Sequence, residues 1–483
     1  MTGPRFTAGE LVAATGGRWL DPPPGDVAGV SIDTRTLAAG SLFVALRGER
    51  FDAHAFLPAA ARAGARAAVV AAEVAAPTGP PRLLVADTLL ALGAIAAFHR
   101  RRFELPVVGV TGSNGKTTTR EMIAAILAER GPVLRSEGNL NNEVGVPLTL
   151  LRLAGEHQAA VIEMGMNHPG EIARLTAMSR PQVGVVTNAA AAHLEGLGSV
   201  DGVADAKAEL YAGLPEGGIA VANADDPRML ARARASGRRL LTFAVGRQRR
   251  GDVAVLDLLA QDATGMRFLL GVGNRELEVT LPLVGAHNAQ NAAAAACAAI
   301  ALGCSDREIV RGLAGVRPVG RRLRLERLPS GLLLVDDCYN ANPLSMGAAL
   351  RTLGELARAG GGRPLAALGD MLELGSGEAE LHRGVGAEAA GLPVARLFGF
   401  GPRSRETLAG ALAAGLSPDR TFHTEDVAAL ADAVRTAAAP GDVLLVKGSR
   451  GMKLERLVEA LRQGPAAARG SALAVGILPG AGH

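Results

Sequence analysis

Leu105-Pro106-Val107-Val108-Gly109-Val110-Thr111-Gly112-Ser113-Asn114-Gly115-Lys116-Thr117-Thr118-Thr119 opens on an apolar run, turns through two glycines and ends in Lys-Thr. The apolar run reads as a buried parallel strand. The segment after it places Met122, Ile123, Ile126 and Leu127 on one helical face. Strand, glycine loop, Lys-Thr and helix together make a phosphate cradle. Successive N–H groups and a helix N-terminus face the anion, the lysine adds charge, and the hydroxyl reaches Mg2+. The common pattern G-x-x-x-x-G-K-[ST] would need glycine at position 110, where Val110 stands. The loop is the shorter Gly112-x-x-Gly115-Lys116-Thr117. A plain turn before a helix could carry the same residues, but the strand in front and the helix behind favour nucleotide binding.

At 483 residues the chain exceeds one core, and about two to four domains are expected. With 48% hydrophobic and 20% charged residues it is globular in composition. The net charge is only +4, and 11 Phe, 2 Tyr and 1 Trp leave few rings to stack on bases, so nucleic acid is not expected as a partner. Cys297, Cys304 and Cys338 form no C-x-x-C pair, which argues against a disulfide framework or a zinc site. Neither a signal pattern nor an 18-residue apolar run is present, so a cytoplasmic protein without membrane insertion is expected.

Outward from the loop, the chain reads as α/β throughout. Residues 1–104 form a small unit: a helix over Phe6–Ala14, strands at Val30–Arg35, Gly40–Leu46 and Ala67–Ala72, and a closing helix over Leu89–Phe103. Within it, Ser31, Asp33, Thr34 and Arg35 could form a turn that satisfies itself or could bind an anion. Residues 105–316 continue strand and helix in alternation, which implies a mostly parallel sheet, with an antiparallel stretch near 250–284. Residues 317–464 restart the alternation as a second doubly wound unit, and 465–483 read as a loose tail.

In open α/β sheets chemistry collects beyond the carboxyl ends of strands. Lys116, Glu163, His193 and Asp225 all fall at such ends. So do Asp336 to Pro343, Gly369-Asp370-Met371 and Lys447 to Arg450. Asn139-Leu140-Asn141-Asn142 could be an Asx-turn loop or a set of amides aimed at a ligand. Lys207, on a helix reading Ala-Asp-Ala-Lys-Ala-Glu-Leu-Tyr, is by pattern alone an ordinary solvated lysine.

These stretches resemble the Mur ligases of bacterial cell-wall synthesis, most closely those that add D-alanyl-D-alanine. The motifs are TGSNGKTTT at 111–119, NLNNEVGVPLTLL at 139–151, EMGMNHPGEI at 163–172, TNAAAAHLEGLGS at 187–199, GAHNAQN at 285–291, DDCYNANP at 336–343, GDMLELG at 369–375 and KGSRGMKLE at 447–455. The likeness runs to about Leu461. There are departures: GAHN stands where the family often has GRHN, alanine precedes His193 where proline is usual, and Cys338 replaces a common Thr. VRPVGRRLR offers two arginines, of which Arg321 is favoured as the nucleotide contact.

The resemblance implies three α/β domains: a UDP-substrate-binding domain, a central P-loop parallel-sheet ATPase domain, and a C-terminal Rossmann-like doubly wound ligase domain. It implies ATP-dependent ligation of D-alanyl-D-alanine to UDP-N-acetylmuramoyl-tripeptide through an acyl phosphate, by a monomer. Thr111, Gly112, Ser113, Asn114, Gly115, Lys116, Thr117 and Thr118 would hold the phosphates, Asn288 and Asn291 the adenine, Asp337 the ribose, and Arg321 the phosphates from across the gap. Two Mg2+ ions would sit on Thr117, Glu163, His193 and a carbamylated Lys207, which reverses the solvated reading of that lysine. Lys116, Lys207, His193 and Asn139 would be catalytic. Ser31, Thr34 and Arg35 would hold UDP, and Asn139 and Asn142 the muramoyl-peptide. Tyr339, Asn340, Asn342, Lys447 and Arg450 would lie near the reacting ends. A folylpoly-γ-glutamate synthetase-like ligase and a non-catalytic nucleotide-binding regulator are the alternatives.

Overall fold

The computed structural model describes residues 3–48, 51–71, 79–192, 194–247 and 251–463. The run at the head of the phosphate loop is the strand Val107–Thr111, buried along its whole length. It lies parallel between Ala159–Glu163 and Val183–Val186, with Glu163 opposite Val110 and Val186 opposite Thr111. Three strands therefore end level with one another, and the loops that follow them share one edge of the sheet. The sheet has nine strands, from Val133–Arg135 at one edge, through Ile219–Asn223 and Arg239–Val245, to an antiparallel meander at the other. The meander is Val253–Asp262, Gly265–Val272 and Arg275–Leu281.

Alternation along these strands divides their side chains between two cores. Val108, Val110, Val161 and Val185 pack under the helices Lys116–Leu127 and Ala286–Ala301. The second of these helices is mostly alanine, so it lies close to the sheet. Val107, Ala160, Ile162 and Val186 face the opposite way, toward Leu175 and Leu210 of the helices Glu171–Ser179 and Val200–Ala212.

A six-stranded sheet follows in the order Arg324–Arg327, Leu333–Asp337, Val443–Lys447, Pro364–Gly369, Arg396–Phe400, Thr421–Thr424. It is parallel except for its first strand and has a core on each face. The N-terminal sheet runs Arg18–Trp19, Arg82–Leu84, Ala67–Val70, Leu42–Val44, Val30–Ser31, with only the first pair antiparallel.

Several elements differ from the sequence reading. The strand expected over Val30–Arg35 stops at Ser31, because the chain then bonds to itself. Asp33 N donates to Ser31 Oγ, and Arg35 N donates to Asp33 Oδ1. The first helix is Ala8–Thr15, started two residues later by a capping box between Thr7 and Glu10. The strands Arg82–Leu84, Arg239–Val245 and Thr421–Thr424 carried no sequence signal strong enough to read. Each is short or only part-buried, so its identity comes from its neighbours.

The first unit and the central one share a core. One apolar cluster runs from Phe6 and Leu11 through Leu92 and Ile95 to Ile162 and Leu175. Arg100, on the helix Thr88–Arg100, is buried in this junction and donates to the carbonyls of Ser179, Phe103 and Leu105. Among the described residues no helix is long and apolar enough to cross a membrane. Replacing Arg100 with Leu strands three carbonyls, and the expected cost is about 2–4 kcal/mol. Urea unfolding checks this: the midpoint should fall, and an unchanged midpoint would mean the junction does not rely on these bonds.

Candidate active site

The level strand ends open into a cleft of about 870 Å3 lined from all three sheets' neighbourhoods, with Leu89 contributed by the first unit. The phosphate loop forms one wall. Gly112 has φ 150°, and a Cβ there would stand 1.8 Å from Thr187 Oγ1. Gly115 has φ 81°, and a Cβ would stand 2.3 Å from Asn291 Oδ1. Both glycines are therefore required by space, and the second also by its left-handed backbone. The next strand end braces the loop: Asn114 N donates to Asn188 Oδ1, Thr187 Oγ1 donates to Asn114 O, and Ser113 Oγ pairs with the backbone of Ala190. Lys116 Nζ folds back to Gly112 O at 2.7 Å. Burial lowers the pKa of this ammonium, Glu163 opposes that shift and Arg322 adds to it.

Behind the loop lies a buried set of charges. Glu163 Oε2 accepts from Arg120 Nη1 at 2.9 Å and Oε1 from Asn141 Nδ2 at 2.9 Å. Arg120 is 1% exposed and also pairs with Glu121. Lys207 is 2% exposed, and among the described residues no acceptor or carboxylate meets its Nζ. Burial, and then the charge of Lys116, hold its ammonium well below the usual lysine range.

The C-terminal unit supplies the facing wall. Lys447 Nζ donates to Asp337 Oδ2 at 2.6 Å and to Asn340 O. Arg322 Nη2 donates to Thr117 Oγ1 at 3.1 Å, so a guanidinium from this unit touches the phosphate loop. Asn342 caps the helix Pro343–Gly360 through Ser345 N and donates its amide to Asn114 Oδ1. Arg321, favoured from sequence, points elsewhere: it pairs with Asp336 and Glu459 and does not line the cleft. The two neighbouring arginines are held apart by their partners, Asp336 and Glu459 for Arg321 and Thr117 for Arg322. Near the loop's far end, Asn291 Nδ2 donates to Asn288 Oδ1, and Asn288 Nδ2 to Val284 O. His287 lies beside them with its pKa pushed down to about 4 by burial, so it is neutral at physiological pH.

The family models called Mur ligase family catalytic domain, Mur ligase middle domain, and Mur ligase glutamate ligase domain match residues 26–136, 110–299 and 321–450. The chain is 41% identical over 436 residues to UDP-N-acetylmuramoyl-tripeptide–D-alanyl-D-alanine ligase of Escherichia coli (strain K12), covering 90% of this chain and 93% of that one. It belongs to the Mur ligase family. A crystal structure of MurF from Acinetobacter baumannii superposes with a TM-score of 0.88 at 34% identity, covering 96% of this chain and 100% of that one. MurF ligase from Thermotoga maritima in complex with ADP gives a TM-score of 0.80 at 28% identity, covering 90% and 97%.

In this Mur ligase the cleft collects Ser113 to Thr118, Asn139, Asn142, Glu163, Lys207, Asn288, Asn291, Asp337, Tyr339, Asn340, Asn342, Lys447 and Arg450. Thr111, at the end of the strand, and Gly112, at the start of the loop, do not line the cleft. Asn142 Oδ1 accepts from Val144 N and Gly145 N, just ahead of the short helix Gly145–Leu150. His193 lies outside the described residues. Ser31, Thr34 and Arg35 do not reach the cleft. Arg35 forks onto Asp33, whose carboxyl it holds down at about 2, and Ser31 Oγ donates to Asp33 O. Asp225 is also drawn away, accepting from Val245 N. The sequence reading holds no role for Arg120 or His287, places Asn141 only within the Asn run, and offers Arg322 only as the second of two arginines. An arginine on an otherwise apolar helix face was the available signal for Arg120, while Asn141 stood inside the triple-Asn run.

Lys207 yields a test. The unfolded chain carries a proton there up to the ordinary lysine range, whereas the folded chain resists it, so this group lowers stability near neutrality and less so as pH rises. In CO2-free buffer at pH 7, Lys207→Met should raise the thermal midpoint by about 2–4 °C. The gain should shrink toward pH of about 10.4. A lowered midpoint would contradict an unpaired buried amine.

Proposed function

We propose that the chain ligates D-alanyl-D-alanine to the terminal carboxylate of UDP-N-acetylmuramoyl-tripeptide. ATP drives the reaction, and the products are UDP-N-acetylmuramoyl-pentapeptide, ADP and phosphate. The observation that carries this reading is the whole-length likeness to the Escherichia coli dipeptide-adding ligase, joined to a cleft where a lysine-bearing loop meets a guanidinium from the next unit. The protein acts as a cytoplasmic monomer of three units, 1–104, 105–316 and 317–464. No observation favours a folate ligase or a regulator.

A carboxylate does not react with an amine in water until its oxygen is made a leaving group. Transfer of the γ-phosphoryl gives an acyl phosphate, the dipeptide's amine attacks its carbonyl carbon, and phosphate departs as the amide forms. Such a transfer needs charge neutralised and partners aligned. Lys116 and Arg322 supply positive charge at the phosphates, and Asn114 and the loop N–H groups orient them. Asn288 and Asn291 hold the adenine and Asp337 the ribose. Asn139 and Asn142 position the muramoyl-peptide, while Asn340, Asn342, Lys447, Tyr339 and Arg450 border the reacting ends. Ser31, Thr34 and Arg35 take the uridine diphosphate once Arg35 leaves Asp33.

Mg2+ prefers oxygen ligands, few of them charged, together with water and phosphate oxygens. Thr117 and Glu163 fit this set, since each Glu163 oxygen keeps a lone pair beyond its one donor. The buried Lys207 amine, which meets no carboxylate among the described residues, fits too. As a neutral amine it can add to CO2 with loss of a proton, giving a carbamate oxygen ligand. When bound, the metal would neutralise phosphate charge, and His193 is a further ligand in this proposal.

An ADP-release assay with mass detection of the product tests the reading. With UDP-muramoyl-tripeptide, D-alanyl-D-alanine should support turnover, whereas L-glutamate and meso-diaminopimelate should not. Lys207→Ala should nearly abolish turnover, added bicarbonate should restore none, and the 13C-carbamate signal seen in labelled bicarbonate should vanish. Turnover with L-glutamate alone would overturn the substrate assignment. Near-parental activity of Lys207→Ala would overturn the carbamate.

A further inference from the structure

Two guanidiniums converge on one aromatic ring in the cleft. The Arg322 carbon Cζ lies 4.2 Å from the centroid of the Tyr339 ring, and that of Arg450 lies 5.3 Å from it. Among the described residues neither arginine has a carboxylate partner. That contrasts with Arg321, whose charge is taken up by Asp336 and Glu459. Arg322 extends from the ring to Thr117 Oγ1 on the phosphate loop. Arg450 opens the 3-10 turn Arg450–Met452, after the strand that carries Lys447. The backbone holds the ring in register, because Tyr339 N donates to Arg321 O.

A ring face attracts a cation without neutralising it, whereas a carboxylate would cancel the charge that an anion needs. A flexible arginine held this way loses its freedom before the anion arrives, so less ordering is left to be done on binding. We propose that Tyr339 is a positioning residue that acts through Arg322 and Arg450: its ring pre-orients one guanidinium toward the phosphate loop and the other toward an anionic group of the acceptor substrate. The inference rests on the ligase reading given above and adds that Tyr339 itself need not touch either substrate.

The test compares Tyr339→Phe, Tyr339→Leu, Arg322→Ala, Arg450→Ala and the two Leu/Ala double variants in the full chain. Steady-state kinetics are read with ATP and with the dipeptide varied in turn, and ADP binding is measured separately by calorimetry. Tyr339→Leu should raise the KM for ATP and for the dipeptide by about three- to thirtyfold each. Tyr339→Phe should recover most of both losses, since the ring and not the hydroxyl is what matters. Combining Tyr339→Leu with Arg322→Ala should add little to the ATP defect of Arg322→Ala alone. Combining it with Arg450→Ala should add little to the dipeptide defect. Additive losses, or a Tyr339→Phe variant as poor as Tyr339→Leu, would overturn the proposal. Should Tyr339→Leu fail to fold, Tyr339→Phe and the arginine variants still decide whether the hydroxyl contributes. If the parent chain binds ADP but forms no pentapeptide, the ligase reading fails, while the effect of Tyr339 on ADP affinity still tests the ring's hold on Arg322.

Discussion

Everything in the cleft depends on a loop that must offer bare backbone to an anion while squeezed between two packed neighbours. Gly112 lies against Thr187 and Gly115 against Asn291, each too close for any Cβ. The squeeze is useful. It lets the strand ends at Thr187 and Asn188 hold the loop by hydrogen bonds, so its N–H groups keep their direction without a ligand. Preorganised dipoles of this kind need no rearrangement at the moment of charge transfer.

From that loop the architecture extends through charge. The amines of Lys116 and Lys207 share a poorly solvated space with a carboxylate that already carries Arg120 and Asn141. Such an arrangement is costly unless a ligand or a modification completes it. The C-terminal unit closes over it with Arg322 on Thr117 and Asn342 on Asn114. Both contacts come from segments next to the strand Leu333–Asp337, so motion of that sheet would make or break them together. The first unit is joined to the central one instead. Its closing helix shares a core with the central sheet, and Arg100 ties the two.

The parts legible in the sequence were those whose signals are local. The phosphate loop, the strand ends at Glu163 and Lys447, and the helix opening at Gly285 all follow from short patterns of apolar runs and turn residues. What escaped depends on tertiary contact. Arg321 and Arg322 are adjacent and chemically identical, and tertiary partners decide which one enters the cleft: Asp336 and Glu459 hold Arg321, while Arg322 reaches Thr117. Arg120 drew no reading from the sequence, because its role depends on the strand bearing Glu163 lying beside it. The polar corner at Ser31 to Arg35 had two fair readings, and its own short-range hydrogen bonds realise the self-satisfied turn. By local pattern Lys207 reads as a solvated lysine, and only the family resemblance reverses that; its meaning lies in what surrounds it.

Arg322, which reaches Thr117 from the C-terminal unit, is the cation proposed to complete the phosphate site. Single-turnover ADP release, with UDP-muramoyl-tripeptide bound and D-alanyl-D-alanine added, measures it most directly in Arg322→Ala and Arg321→Ala side by side. Loss of one such charge at a transferring phosphoryl should slow Arg322→Ala by about 100- to 1,000-fold. Arg321→Ala should stay within about tenfold of the parent and show its effect mainly in stability. Equal rates for the two variants, or a greater loss at Arg321, would contradict the account.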